Sequence, residues 1–137
     1  MRRGFLYGKI HRMIVTDANP DYEGSITLDE ALMEEAGLRP YQQVDVYNVT
    51  RGTRLTTYAI VGPRGAGDCC LNGAAAHLNE IGDRVIVAAY CELDDAEIDS
   101  HRPRVVLVRD DNHTYETTLG SCFLGGAVPA AGTPARR

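Results

Sequence analysis

The chain has no C-x-x-C pair, no apolar run of membrane-spanning length, no surplus of basic residues and no glycine-rich phosphate loop. Each absence removes a class of function. Cys69 and Cys70 are adjacent while Cys91 and Cys122 stand alone, so the spacing for zinc ligation or dithiol redox chemistry is missing and free thiols are expected. His77 follows Cys70 by seven residues with nothing to complete a ligand set, and no metal site is expected. A membrane helix needs about 20 consecutive apolar residues, and no stretch of the chain approaches that. Acidic residues outnumber Lys plus Arg by 19 to 14, for a formal net charge of −5. A general nucleic-acid binder needs the opposite balance. Asn72-Gly73-Ala74-Ala75-Ala76-His77 is small enough for backbone N–H groups to approach a ligand, or for a short alanine helix. It lacks the glycine spacing and Lys-Ser/Thr ending of a phosphate loop. The opening Met1-Arg2-Arg3-Gly4-Phe5-Leu6-Tyr7-Gly8-Lys9 puts a lysine where a secretory leader needs its apolar stretch, so a cytoplasmic location is expected.

What is present is enough for one domain: 137 residues, 44% of them apolar and 24% charged. Residues 5–16 read as a strand, with Lys9 and His11 sharing a face with Tyr7 and Met13, and Ile10 and Ile14 on the other. Asp17-Ala18-Asn19-Pro20-Asp21 reads as a turn. Thr27-Leu28-Asp29-Glu30 matches a capping box with Thr27 as N-cap, for a helix over 28–36 ended by Gly37. Residues 43–49 and 54–61 alternate on either side of Thr50-Arg51-Gly52-Thr53 and predict a hairpin. On its second strand Arg54, Thr56 and Tyr58 share a face and Thr57 faces away; Arg54 and Tyr58 would stand ~13 Å apart on a straight strand. Further strands are expected over 69–71, 84–90, 105–108 and 115–119, with a helical turn or loop over 92–100. Six or seven short strands with two or so short helices predict a mainly β fold, a small closed barrel. One domain is expected over 1–119, followed by a Gly/Ala/Pro-rich tail over 120–137 expected to be disordered.

Tyr22-Glu23-Gly24-Ser25 carries a specific chemical possibility beside the plain one of a turn. The Ser25 hydroxyl lies one peptide unit from the Gly24 carbonyl carbon and can attack it unaided, and Gly24 has no Cβ to block the approach. The resulting ester can eliminate, because the Ser25 α-hydrogen is acidified by the adjacent carbonyl. Dehydroalanine follows, and its hydrolysis leaves a pyruvoyl group on the downstream chain. Such a ketone forms a Schiff base with an amine and acts as an electron sink.

Taken in order, Gly8-Lys9-Ile10-His11-Arg12, Tyr22-Glu23-Gly24-Ser25, Asn48-Val49-Thr50, Thr57-Tyr58-Ala59-Ile60 and Asn72-Gly73-Ala74-Ala75-Ala76-His77 resemble the aspartate 1-decarboxylase family over residues 1–108. The resemblance implies a double-ψ β-barrel assembled as a homotetramer with active sites at subunit interfaces. It implies a proenzyme that cuts itself between Gly24 and Ser25, with Ser25 becoming a pyruvoyl cofactor; a separate maturation factor is left open. It also implies L-aspartate as substrate, loss of its α-carboxylate as CO2, and β-alanine as a product used for pantothenate. Tyr58 would be the proton donor. Thr57 and Gly73-Ala74-Ala75 would help bind substrate, with Lys9, His11, Arg54 and Asn72 as further members of the pocket. Arg54 suits a carboxylate because its guanidinium makes two charge-assisted bonds. Two positions depart from the pattern: Tyr47 stands where tryptophan is common, and His101 precedes Arg102-Pro103 in place of an aromatic. Rival readings are a barrel that binds without catalysing and a pyruvoyl enzyme for another amino acid.

Overall fold

The computed structural model describes residues 1–124. Strand β1 (Arg2–Ile14) pairs antiparallel with β7 (Arg84–Asp94), and its register shifts between Leu6 and Gly8 and again between Ile10 and Met13. Arg12, inside the second irregularity, has φ 68°. An extra residue in one strand reverses the faces beyond it. Met13 is therefore buried together with Ile10, while Ile14 is only half-buried. This corrects the simple alternation, which had put Met13 on the face of Lys9 and His11. Gly8 is required by packing: an added Cβ would lie 2.1 Å from the Ala36 carbonyl oxygen, where helix α1 (Glu30–Ala36) rests on β1.

The stretch expected to be a turn contributes β2 (Asp17–Asn19), paired parallel with β6 (Cys69–Asn72). Leu28 and Asp29, expected to open the helix, instead end a strand, β3 (Ser25–Asp29). It lies between β5 (Arg54–Gly62), to which it is parallel, and β6, to which it is antiparallel. Ile26 and Leu28 thus enter the core fully buried, each contributing about 1.5–3 kcal/mol. The helix starts two residues later than the capping pattern predicted. Its N-cap is Asp29, whose Oδ1 accepts from the Ala31 N–H at 2.8 Å. The Asp29 carboxylate also accepts from Gly65 N at 3.0 Å and Gly67 N at 2.8 Å, so one side chain fixes a helix start and a turn.

β4 (Gln43–Asn48) and β5 form the expected hairpin. Gly73–Leu78 is a 3-10 segment, α2 (Asp95–Ile98) follows β7, and β8 (Arg104–Val108) and β9 (Tyr115–Leu119) close the described chain. The nine strands among the described residues run β2-β6-β3-β5-β4-β7-β1-β8-β9. Just beyond β1, the Thr16 N–H donates to the Cys69 carbonyl and the Cys69 N–H donates to Thr16 Oγ1, both at 2.9 Å. These bonds tie the end of β1 to β6, from the far side of the strand order, and curl the sheet into a small barrel around Ile10, Val44, Leu71, Val87 and Val106. The mainly β class is as expected, with more strands than the six or seven read from periodicity. Among the described residues no helix is long and apolar enough to cross a membrane. Gly120 N donates to the Pro103 carbonyl at 2.8 Å; the rest of the expected disordered tail, residues 125–137, lies outside the described residues.

Candidate active site

The pairing of β3 with β5 begins at Ile26 and Ala59, which leaves the edge of β5 before Ala59 open on that side. The Tyr22–Gly24 loop and the 3-10 segment lie against this edge. Between them is a cavity of about 400 Å³ lined by Gly24, by Thr56, Thr57 and Tyr58, and by Ala74 and Ala75. Consecutive residues of one strand reach it because it lies along the strand's edge, where side chains of both faces are accessible. That answers the expectation that Thr57 and Tyr58 face apart. The Tyr58 ring stacks on Tyr41 with centroids 6.0 Å apart and planes inclined by 23°.

Ser25 is the first residue of β3 and is buried. Its hydroxyl donates to the Glu23 carbonyl at 3.3 Å and accepts from Asn72 Nδ2 at 3.0 Å. The same amide donates to Thr27 Oγ1 at 3.1 Å, so both its hydrogens are used. The hydroxyl is thus held beside the Gly24–Ser25 peptide with a lone pair to spare. Gly73 has φ 65°, and a Cβ there would meet Gly24 N at 2.6 Å, Gly24 Cα at 2.7 Å and Tyr22 O at 2.7 Å. Gly24 differs: nothing lies within 4 Å of the place its own Cβ would occupy, its chain neighbours apart.

The structure brings together Gly24, Ser25, Thr57, Tyr58, Asn72, Gly73, Ala74 and Ala75. It leaves Lys9, His11 and Arg54 elsewhere in the same chain. Lys9 pairs with Ala88, Ala88 with Asp45, and Asp45 with Thr56. Lys9 is therefore three inter-strand spacings from Thr56, about 14 Å. His11 is half-buried on β1 opposite Leu107 of β8. Arg54 is exposed, its guanidinium carbon 4.4 Å from the centre of the Tyr47 ring. That ring's hydroxyl donates to Asp45 Oδ2 at 3.1 Å and lies 2.9 Å from the Tyr90 hydroxyl. Burial, reinforced by these two partners, pushes the Tyr47 phenol well above its ordinary range, so it stays neutral and offers Arg54 a flat face. At the other departure, His101 stacks on Tyr7 and its Nε2 lies 2.9 Å from the Leu6 carbonyl oxygen.

Sequence reasoning missed Leu55 and Thr56 as lining residues, and missed Asn79, whose amide holds the Ala75 carbonyl at 2.9 Å. The signal for Asn79 was its place just after the alanine run, where an amide can end a turn. The cysteines are not poised as nucleophiles: burial raises the Cys69, Cys70, Cys91 and Cys122 thiols above their ordinary value.

Residues 1–115 match the family profile described as aspartate decarboxylase. The aspartate 1-decarboxylase of Syntrophobacter fumaroxidans is 52% identical over 123 residues, covering 90% of this chain and 99% of that protein. That of Aliarcobacter butzleri is 54% identical over 108 residues, 79% of this chain and 85% of its own. That of Thermoanaerobacter pseudethanolicus is 48% identical over 112 residues, 82% and 96% of the two chains. The matched span takes in every residue of the cavity, and the chain belongs to the aspartate decarboxylase family.

Proposed function

We propose that the chain is a self-processing aspartate 1-decarboxylase. It cuts its own Gly24–Ser25 bond, carries a pyruvoyl group at position 25, and converts L-aspartate to β-alanine and CO2 for pantothenate synthesis in the cytoplasm. The observation that carries this reading is the placement of the Gly24–Ser25 bond beside a cavity lined by Thr57, Tyr58, Ala74 and Ala75, with Asn72 Nδ2 3.0 Å from Ser25 Oγ. Position 25 suits a carbonyl group: it is buried, faces the donor amide of Asn72, and adjoins Gly24, which lines the cavity. That group supplies a ketone that engages the substrate amine and accepts the electrons left when the carboxylate departs.

The chain's own residues do the rest. Tyr58 holds a phenolic proton at the cavity wall, oriented by its stack on Tyr41, for delivery to the substrate carbon. The Thr57 hydroxyl and the backbone N–H groups of the Ala74–Ala75 turn receive a carboxylate. Arg54, Lys9 and His11 stand outside the cavity of their own chain, so the positive charge of Arg54 and Lys9, with His11 beside them, serves substrate binding from a second copy. This accords with a homotetramer whose sites lie at subunit interfaces. A single barrel domain over 1–119, followed by a tail, completes the reading.

Intact mass tests it. Wild-type protein is expected to give two chains divided at Gly24–Ser25, the larger with a pyruvoyl end. Ser25→Ala is expected to give one uncut chain and no CO2 from aspartate. A single full-length mass for the wild type after prolonged warm incubation refutes unaided self-processing, and glutamate turning over as well as aspartate refutes the substrate.

A further inference from the structure

We propose that Asn79, clamped by Asn48 that Asp83 holds in turn, is a positioning residue that sets the 73–78 turn against Tyr22–Ser25 and thereby controls the rate of self-cleavage; this rests on the function proposed above. The turn has little to hold it in place by itself. It is a 3-10 segment with no side-chain bond at its N-cap, a geometry with poorer hydrogen bonds than an α-helix. Its side chains before His77 are a glycine and three alanines, which offer little surface for packing. Its front end is nonetheless pressed hard against the cleavage segment, as the 2.6–2.7 Å separations from the Gly73 Cβ position to Gly24 and Tyr22 backbone atoms require.

What holds it is polar and lies behind it. Asn79 Nδ2 donates to the Ala75 carbonyl at 2.9 Å, and Asn79 Oδ1 accepts from Asn48 Nδ2 at 2.8 Å. Asn48 Nδ2 also donates to Asp83 Oδ2 at 2.9 Å. The same oxygen accepts from the Glu80 N–H at 2.9 Å and from Arg51 Nε at 2.7 Å. Asn48 Oδ1 accepts from the Arg51 N–H at 2.8 Å, which anchors the clamp in the β4–β5 turn. Asn48, Asn79 and Asp83 are all buried, so water does not readily replace a lost partner. The chain of bonds ends on the carbonyl of Ala75, which lines the cavity. Loosening it lets the turn back away from Gly24.

The test compares Asn79→Ala with Asn112→Ala in the full-length protein. Asn112 is an equally buried amide at another place, bonded to Ile14 N, Ile14 O and Gly67 O at 2.8 Å each. Unfolding temperature and the conversion of full-length mass into two chains are followed where each variant is folded. Both variants are expected to melt earlier, and only Asn79→Ala to cut slowly. A misplacement of about 1 Å costs roughly 100-fold, so a partial retreat predicts about tenfold slower cleavage. Once fully cut, Asn79→Ala is expected to show a raised KM for aspartate with a smaller change in kcat, because Ala74 and Ala75 line the cavity. If Asn79→Ala does not fold, Arg51→Ala probes the same clamp from its half-exposed end, and slowed cleavage is again expected. Wild-type cleavage by folded Asn79→Ala, or by Arg51→Ala where that variant stands in, overturns the proposal, as does equal slowing by Asn112→Ala. An uncut wild type overturns the underlying function and this with it, whereas a cut wild type beside an unaffected variant overturns only the clamp.

Discussion

Gly73→Ala tests the contact on which the site depends, and the structure sets its size. The residue sits at φ 65°, where an L side chain costs about 1–2 kcal/mol. The new Cβ would stand 2.6–2.7 Å from two atoms of Gly24 and from the Tyr22 carbonyl oxygen. Relaxing it to an ordinary separation of about 3.5 Å requires the loop or the turn to move by about 0.8 Å. All three obstacles are backbone atoms, so no flexible side chain can simply swing aside, and overpacking of this kind costs about 1–3 kcal/mol. The total of about 2–5 kcal/mol corresponds to a fall in Tm of roughly 6–20 °C for a domain of this size. The displacement is also large enough to misalign Ser25 Oγ with the Gly24 carbonyl, so cleavage is expected to slow by at least about tenfold. Calorimetry and a time course of intact masses measure the two effects. Gly24→Ala is the contrast, since its Cβ meets nothing within 4 Å and stability is expected to change little. A Gly73→Ala protein that melts within about 2 °C of wild type and cuts at the wild-type rate would show that the turn and the loop do not press together.

Tyr58→Phe is expected to cut normally, because Ser25 Oγ is held by the Glu23 carbonyl and Asn72 Nδ2 rather than by the phenol, and to lose about 10²–10⁴-fold in kcat/KM; full activity removes Tyr58 as proton donor. Acid stability should depend on Asp29. Burial raises its pKa, but the N–H groups of Gly65, Gly67 and Ala31 outweigh that and hold it below the ordinary value. A folded pKa below the unfolded value of about 3.9 stabilises fully above that pH and is lost as pH falls through the folded value. Wild-type Tm is therefore expected to drop on acidification below about pH 4. Asp29→Asn is expected to melt earlier at pH 7 and to show a shallower drop in acid. A variant with the full acid drop assigns the effect to other carboxylates, such as Asp83 beside Arg51.

The parts of the fold legible in the sequence are those whose signal is local. The β4–β5 hairpin follows from alternation around Arg51-Gly52, and β7 from the apolar run after Gly82-Asp83. β3 was misread because Thr27 and Glu30 mimic a helix start. The deciding fact, pairing on both sides with β5 and β6, joins residues more than thirty positions apart. The phase of β1 failed at Met13 for a related reason, since a bulge has no composition of its own. In the site, Gly24-Ser25 by itself reads as a turn, and the ordered set of motifs from Lys9 to His77 is what singles that bond out. The convergence of Thr57 and Tyr58 was not legible, because it depends on where β5 loses its neighbour.

The sequence left open whether Arg54 and Tyr58 of one chain could reach the same ligand. A span of ~13 Å along a strand left convergence dependent on a bend, and the structure turns Arg54 onto the Tyr47 ring instead. Together with the Lys9-Ala88-Asp45-Thr56 row, this divides the candidate site residues into two sets. One set surrounds Ser25 and offers hydroxyls, amides and backbone N–H groups; the other carries the cations. Neutral donors alone would leave the two substrate carboxylates uncompensated in a protein of net charge −5, whereas a guanidinium supplies both a counter-charge and paired donors. The face that carries Arg54 also bears Tyr47 and the exposed Tyr90, a Tyr and Arg composition favoured where proteins meet. In the proposed homotetramer the two sets become complementary surfaces. Assembly then supplies the charge that folding alone keeps away from Ser25, and an unassembled chain would hold the means of cleavage without the means of binding aspartate well.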